Sequence, residues 1–456
     1  MLANLTTPLL GVVATACIGR LGDPALLGGV AIASVVFDCL FWLFGFLRMG
    51  TVAFTAQALG ARDHTEIRAT LFRAIIVAAA IGVLLIAVSK PLGTVILSLM
   101  GGSEPVTAAA REYFAIRLWS APMALGNYVL LGWFVGQARA KTALALQILI
   151  NIANIAITAW LVLVLDKGIA GAAIAAVLAE TTGFVVGAVL AWRLLGHVFS
   201  ISTERLFDRE RLLHMFAVNR DILIRTAALI AAFLFFTSQG ARAGDTVLAA
   251  NAVLNNFLLI SAFFLDGIAN AAEQICGRTY GKRDREGFLI ATKLVMLWGS
   301  VFALAVSTAY FLLGSNLIAV MTPNPDIQRV ANDYLIFVIL APIVGFFAFA
   351  YDGIFIGATW ARDMRNLMLL SLVIFLTAWA LLRSFGNAGL WAALLVHYIA
   401  RGGLQALRYP ALFKASFGNG SLTPARAPQY SSPHRRRRFR KGCRGWSAAA
   451  STPGRP

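Results

Sequence analysis

Charge is scarce in this sequence. Asp, Glu, Lys and Arg make up 13% of its 456 residues, against about 25% in a soluble domain. With 59% apolar residues and a mean hydropathy of +0.76, this argues against a water-soluble enzyme. Disorder is excluded for most of the chain, because so much apolar surface cannot stay hydrated. Cysteine is also rare. Cys17, Cys39, Cys276 and Cys443 are scattered and form no CxxC pair, so neither a disulfide framework nor a zinc site is expected. The five histidines include no pair at metal-ligand spacing. His397, within the last span, reads as structural. No Walker A loop precedes a helix, so direct ATP coupling is unsupported. No nucleophile–base set can be assembled, and no enzyme activity or bound cofactor is expected. A cleavable leader is not expected either, since residues 2–19 lack a basic n-region.

Long apolar runs are abundant. They fall at about 2–19, 24–58, 69–89, 113–135, 142–165 and 168–192, then at 222–241, 246–277, 287–321, 334–359, 366–382 and 384–407. Each is long enough to cross a bilayer as a helix, and inside lipid a helix satisfies its own backbone. The 10-residue alternation of an outer-membrane barrel is absent. The fold class is therefore an all-α polytopic membrane protein with twelve transmembrane helices. Residues 1–200 form a first six-helix lobe, 201–221 a charged connection, 222–412 a second six-helix lobe, and 413–456 a tail.

The formal net charge is +18. The tail holds ten Lys and Arg and no acid, including the run Arg435 to Arg438. It reads either as an unstructured extension or as a segment held by anionic lipid. In a soluble protein such a balance would suggest nucleic acid; here no nucleic-acid partner is expected. Loops after even-numbered spans carry 15 basic residues and loops after odd-numbered spans carry 7. The positive-inside rule then puts both termini in the cytoplasm.

The halves repeat at one offset. Gly60-Ala-Arg62-Asp63 recurs 221 residues on as Gly281-Lys-Arg283-Asp284. Tyr113 matches Tyr334, Gly132 and Gly136 match Gly353 and Gly357, and Gly168 matches Gly389, all at 221. An even number of spans per repeat means both halves enter the membrane the same way. This is the parallel-repeat plan of several secondary transporters, with a substrate site between pseudo-symmetric lobes.

Charges inside spans are costly and mark water-lined or protein-lined positions. The candidates are Asp38 and Arg48 in span 2, Asp266 and Glu273 in span 8, Asp352 in span 10 and, with a weaker claim, Glu180 in span 6. Along span 8, Asn251, Asn255, Asp266, Asn270 and Glu273 share an arc of roughly 100°. That stripe either lines an aqueous cavity or forms an interhelical seam. Glu273, nearer the cytoplasmic end, is expected to be solvated or to anchor a loop. Asp352 sits in sequence among Phe346, Phe347, Phe349 and Tyr351, so burial beside aromatics would favour its protonated form. Those rings either meet lipid or suit flat lipophilic cations. Asn151 and Asn154 in span 5 either line the first lobe or bind helices together.

These landmarks resemble the multidrug and toxic compound extrusion (MATE) family, in its DinF-like branch. The segments that carry the resemblance include Leu5-Thr-Thr-Pro-Leu-Leu-Gly11, Phe46-Leu-Arg48-Met-Gly50, Gly60-Ala-Arg-Asp63, Phe264-Leu-Asp266-Gly267 and Asp352-Gly-Ile-Phe-Ile-Gly-Ala358. They cover residue 1 to about 412. The resemblance implies a two-lobed exporter that exchanges H⁺ or Na⁺ for organic cations by alternating access. It implies small, cationic substrates, a bilayer partner, a monomer, and residence in a bacterial cytoplasmic (inner) membrane. Asp352 is similar to the tenth-span acid associated with coupling in parts of the family. The chain departs from the pattern at Ala14 and Thr158, where the branch commonly has acids. Asp38 is the candidate substitute. A flippase for an amphipathic metabolite and a polytopic lipid enzyme are the alternatives.

Overall fold

A computed structural model describes residues 23–101, 103–196 and 202–418. The expected first span at 2–19, with Ala14, lies outside the described residues, as does the tail beyond 418. Among the described residues the chain is helical, with no strand.

Span 2 is two helices, α1 (Pro24–Leu43) and α2 (Phe46–Gly60). At their junction the Phe44 and Gly45 amides bond back to Phe41 and Trp42, a tight turn that breaks the rod. Span 3 is α3 (His64–Ala87), followed by a short α4 (Ser89–Leu99). Span 4 comprises α5 (Glu104–Arg117) and α6 (Ala121–Gly136), joined by a 3₁₀ turn. Span 5 is α7 (Ala140–Ala159), which runs into a π turn, and span 6 is α8 (Gly168–Leu194). After the short α9 (Thr203–Leu206), the second lobe holds α10 (Arg209–Ala241), α11 (Asp245–Gly281) and α12 (Arg285–Met321). It ends with α13 (Pro325–Gly357), α14 (Ala361–Leu382) and α15 (Gly386–Phe417). Among the boundaries that differ from the sequence expectation, the seventh span begins at Arg209, well ahead of 222, the fourth at Glu104 and the tenth at Pro325, ahead of 113 and 334, and the last continues to Phe417, past 407. Capping explains the first: the Asp208 side chain accepts the Glu210 and Arg211 amides and starts the helix before the apolar run.

The duplication is visible in the backbone. Arg62 and Arg283 both adopt φ 58°, and Ala138 and Thr359 adopt 61° and 56°. Both pairs stand 221 residues apart, in the left-handed region that non-glycine residues rarely enter. Asp63 caps α3 through the Glu66 amide at 2.9 Å, and Asp284 caps α12 through the Gly287 amide at 2.9 Å. Helix pairing repeats as well: α2 with α6 as α11 with α13, α3 with α6 as α12 with α13, and α7 with α8 as α14 with α15. One expected match shifts. Gly168 and Gly386, not Gly389, each open a sixth span with positive φ (54° and 60°). The turns before them differ, π in one lobe and 3₁₀ in the other, and this moves the register by three residues.

The lobes meet chiefly where α2 packs on α11, at the end that carries the more basic loops. The contact is reciprocal. A Cβ on Gly60 would strike the Arg278 carbonyl, and one on Gly281 would strike the Gln57 carbonyl. Gln57 and Arg278 are themselves 221 residues apart, so each lobe offers the same glycine to the same backbone position of the other. Gln57 Nε2 also donates to the Gly357 carbonyl at 2.8 Å. At the same end the inter-lobe connection is tied to the first lobe. Buried Arg73 donates to the Leu206 carbonyl at 2.9 Å and to Glu66 at 2.7 Å, and Arg205 pairs with Asp63 at 2.7 Å.

Candidate functional site

The charged side chains inside the spans form two groups, one within the first lobe and one in the second lobe that Arg48 joins from the first. In the first lobe Asp38 is exposed on α1. Trp42 lies one turn on, and its ring is 6.3 Å from Phe233 of α10 in the second lobe. Residues four apart share a helix face, so Asp38 is on the side turned to the other lobe. Behind it Arg117 stacks over Phe37 and Tyr113, at 5.0 and 5.6 Å from the ring centroids. Arg117 donates to the Tyr113 hydroxyl at 2.6 Å and lies within coulombic reach of Asp38 and Glu180. Glu180 accepts from Asn127 Nδ2 at 2.6 Å.

The span 5 amides are engaged locally. Asn151 is buried and accepts from Gln147 at 3.1 Å; Asn154 accepts from the Thr158 hydroxyl at 3.3 Å.

In the second lobe the stripe on α11 divides by depth. Asn251 is buried at the far end. It exchanges hydrogen bonds with Asn387 at 2.8 and 3.0 Å, and its Oδ1 also accepts from Trp391 Nε1 at 2.9 Å. It binds α11 to α15 rather than lining open space. Asn255 is half-buried. Asp266 is half-buried, makes no hydrogen bond among the described residues, and lies within coulombic reach of Arg48, Arg225 and Arg401. Asn270 accepts from Arg48 Nη1 across the lobe boundary. Glu273 is not solvated as expected: it is 2% exposed, and its Oε2 has no hydrogen-bonding partner among the described residues.

Asp352 does not sit alone among aromatics. Arg225 of α10 and Arg401 of α15 both donate to its Oδ2, and Gln405 Nε2 donates to Oδ1 at 2.7 Å. Phe349 lies under the Arg401 guanidinium, 5.3 Å from its ring centroid. Two buried cations thus flank this carboxylate, in place of the apolar aromatic surround expected from the sequence. The aromatic neighbours in sequence hid this, because helical geometry sends Phe347 and Asp352 to different faces.

Sequence reasoning passed over Arg117, Arg225 and Arg401. Each was counted within a charge-poor span. The signal that would have found them is balance: lone arginines on spans 7 and 12 need a buried partner, and span 10 offers Asp352. His397 is structural as expected, with Nδ1 3.2 Å from the Ser371 carbonyl and its ring between Phe375 and Tyr398.

Comparison with known proteins agrees with this architecture. The sequence model of the MatE family matches residues 1–160 and 213–381. The chain is 38% identical to the DNA damage-inducible protein F of Escherichia coli (strain K12), over 92% of this chain and 91% of that protein. It is 23% identical to a probable multidrug resistance protein NorM of Thermotoga maritima, over 89% of this chain and 88% of that one. Among solved structures it resembles a multidrug resistance MATE family transporter in an outward-facing conformation, with TM-score 0.82 and 19% identity over 91% of this chain and 94% of the other. That likeness fixes the fold, twelve helices in two lobes. By its sequence match along most of its length, this chain belongs to the MATE family, and it is a multi-pass membrane transporter and not an enzyme.

Proposed function

We propose that the chain is a secondary antiporter that exports lipophilic or cationic small molecules, using H⁺ or Na⁺ as the coupling ion and alternating access of its two lobes. The observation that carries this reading is the reciprocal contact of Gly60 and Gly281. It shuts one end of the inter-lobe boundary, while Asp38 and Asp266 keep open sides deeper in. By the positive-inside rule the shut end is cytoplasmic, and both termini lie on that side of a bacterial inner membrane. A contact built twice from the same glycine and the same partner position opens by rocking, since neither lobe has to deform.

Asp38 offers negative charge on the helix face that carries Trp42, whose ring meets Phe233, and such ring faces attract organic cations; Asp266 adds a second carboxylate from α11. Asp352 offsets one of the two positive charges of Arg225 and Arg401, and Asp266 lies within coulombic reach of both. Asn255 and Asn270 add polar contacts. Substrate and coupling ion then occupy the protein in alternation. The protein acts as a monomer, because each chain carries both lobes, and it needs no cofactor beyond the ion.

The test is efflux of a cationic dye by the full chain in proteoliposomes, under an H⁺ gradient and a Na⁺ gradient applied separately. One gradient should drive dye movement several-fold above the ungraded rate. Equal rates with either gradient and with none would refute coupled export.

A further inference from the structure

We infer that Glu273, buried beside the inter-lobe contact, is the carboxylate that carries the coupling proton while the cytoplasmic end is shut, and that it releases the proton when that end opens. The inference rests on the exporter reading and deepens it.

The first observation is burial without a partner. Glu273 is 2% exposed, and its enclosed Oε2 meets no donor among the described residues. The charged groups around it come from three helices: Arg48 of α2, Arg225 of α10 and Asp266 of its own α11. Arg48 is engaged with Asn270 and Arg225 with Asp352. Asp352 of α13 is itself clamped by arginines, α6 contributes no charged residue, and Lys293 of α12 is exposed. A carboxyl group so enclosed is held as the neutral acid, because burying its charge without a donor is unfavourable.

The second observation is independent. The residue 221 positions earlier is Val52, 0% exposed at the matching place in the first lobe. The Val52 carbonyl lies against Gly136 as the Glu273 carbonyl lies against Gly357. The fold therefore fills this site with a plain apolar side chain in one lobe. Packing does not require an acid in the other.

The geometry also supplies the release step. Asn270, the present partner of Arg48, precedes Glu273 by one helical turn on the same face. Parting of α2 and α11 draws Arg48 away with α2 and admits cytoplasmic water to Glu273. The carboxylic acid then gives its proton to water, and the carboxylate is stabilised by hydration in the opened gap. Reloading comes from the crevice past Asp266, one face-repeat away on α11. Protons thus move inward as substrate moves outward.

The experiment uses the full chain in lipid vesicles, comparing wild type with Glu273→Gln and Glu273→Val. Infrared spectra at neutral pH should show a protonated carboxyl band that Glu273→Gln removes and Asp266→Asn leaves. Proton-driven dye efflux should fall about tenfold or more in both Glu273 variants, the size of a typical coupling free energy. Dye-for-dye exchange should persist, which a folding defect would not allow. A spectrum unchanged by Glu273→Gln, or wild-type proton-driven efflux in that variant, overturns the assignment. Dye movement on a Na⁺ gradient alone, without the Glu273 band, overturns it and leaves coupled export standing. The Glu273 band in a protein that moves no dye on any gradient supports the protonation and defeats the exporter reading.

Discussion

Arg225 and Arg401 converge on a single atom, Oδ2 of Asp352, from helices at opposite ends of the second lobe's sequence. The triad ties α10, α13 and α15 together at one buried point. A carboxylate held this way is a structural counter-ion first, because its loss strands two guanidinium groups.

Asp352→Asn should therefore destabilise the protein by about 3–5 kcal/mol, the usual cost of breaking a buried pair. Thermal melting in detergent reads this directly. Pairing the change with Arg225→Gln should recover part of the loss. A stable Asp352→Asn protein with lost efflux would instead make this acid a coupling group.

Asn251 is predicted to matter for stability rather than for transport. Its side chain satisfies Asn387 and Trp391. Asn251→Ala leaves those buried groups unpaired, at about 1–3 kcal/mol for the group exposed to no partner. The melting temperature should drop while the KM for dye stays near the wild-type value. A large change in KM with unchanged melting would put Asn251 in the substrate path.

Asp284 lies in the loop between spans and caps α12. The Gly287 amide and the neighbouring Lys282 hold its carboxyl below the ordinary value of 3.8. A depressed native value means that the cap stabilises above the unfolded pKa and is lost as pH falls through the native one. The difference in melting temperature between wild type and Asp284→Asn should be full at pH 7 and shrink below about pH 4. A difference that grows on acidification would reverse the sign of this account.

Much of the fold was legible because lipid imposes it. Apolar length alone marked the spans, and the 221-residue offset marked the repeat that the matching φ angles at Arg62 and Arg283 display. The site was less legible. Periodicity placed Asp266, Asn270 and Glu273 on one face, but it could not say that Asn251 would be consumed by α15 or that Glu273 would be sealed against α2. Those outcomes depend on which helix packs where, and one chain's sequence does not carry that pairing. Arg225 and Arg401 were missed for a related reason: a single cation in a long apolar run looks tolerable until its partner, nearly fifty residues or more away in sequence, is known. The Gly168 match failed by three residues because glycines are common and the turn types before the sixth spans differ.

The account turns on whether the α2–α11 end must open during each cycle. Gln57 Nε2 lies 3.3 Å from Thr359 Oγ1 across that end. With the four native cysteines replaced by serine, Gln57→Cys and Thr359→Cys can be joined by a short thiol crosslinker. Crosslinked protein in proteoliposomes should stop dye efflux, and a cleavable linker should restore it on reduction. Efflux that continues at the uncrosslinked rate, with crosslinking complete, would contradict alternating access at this contact.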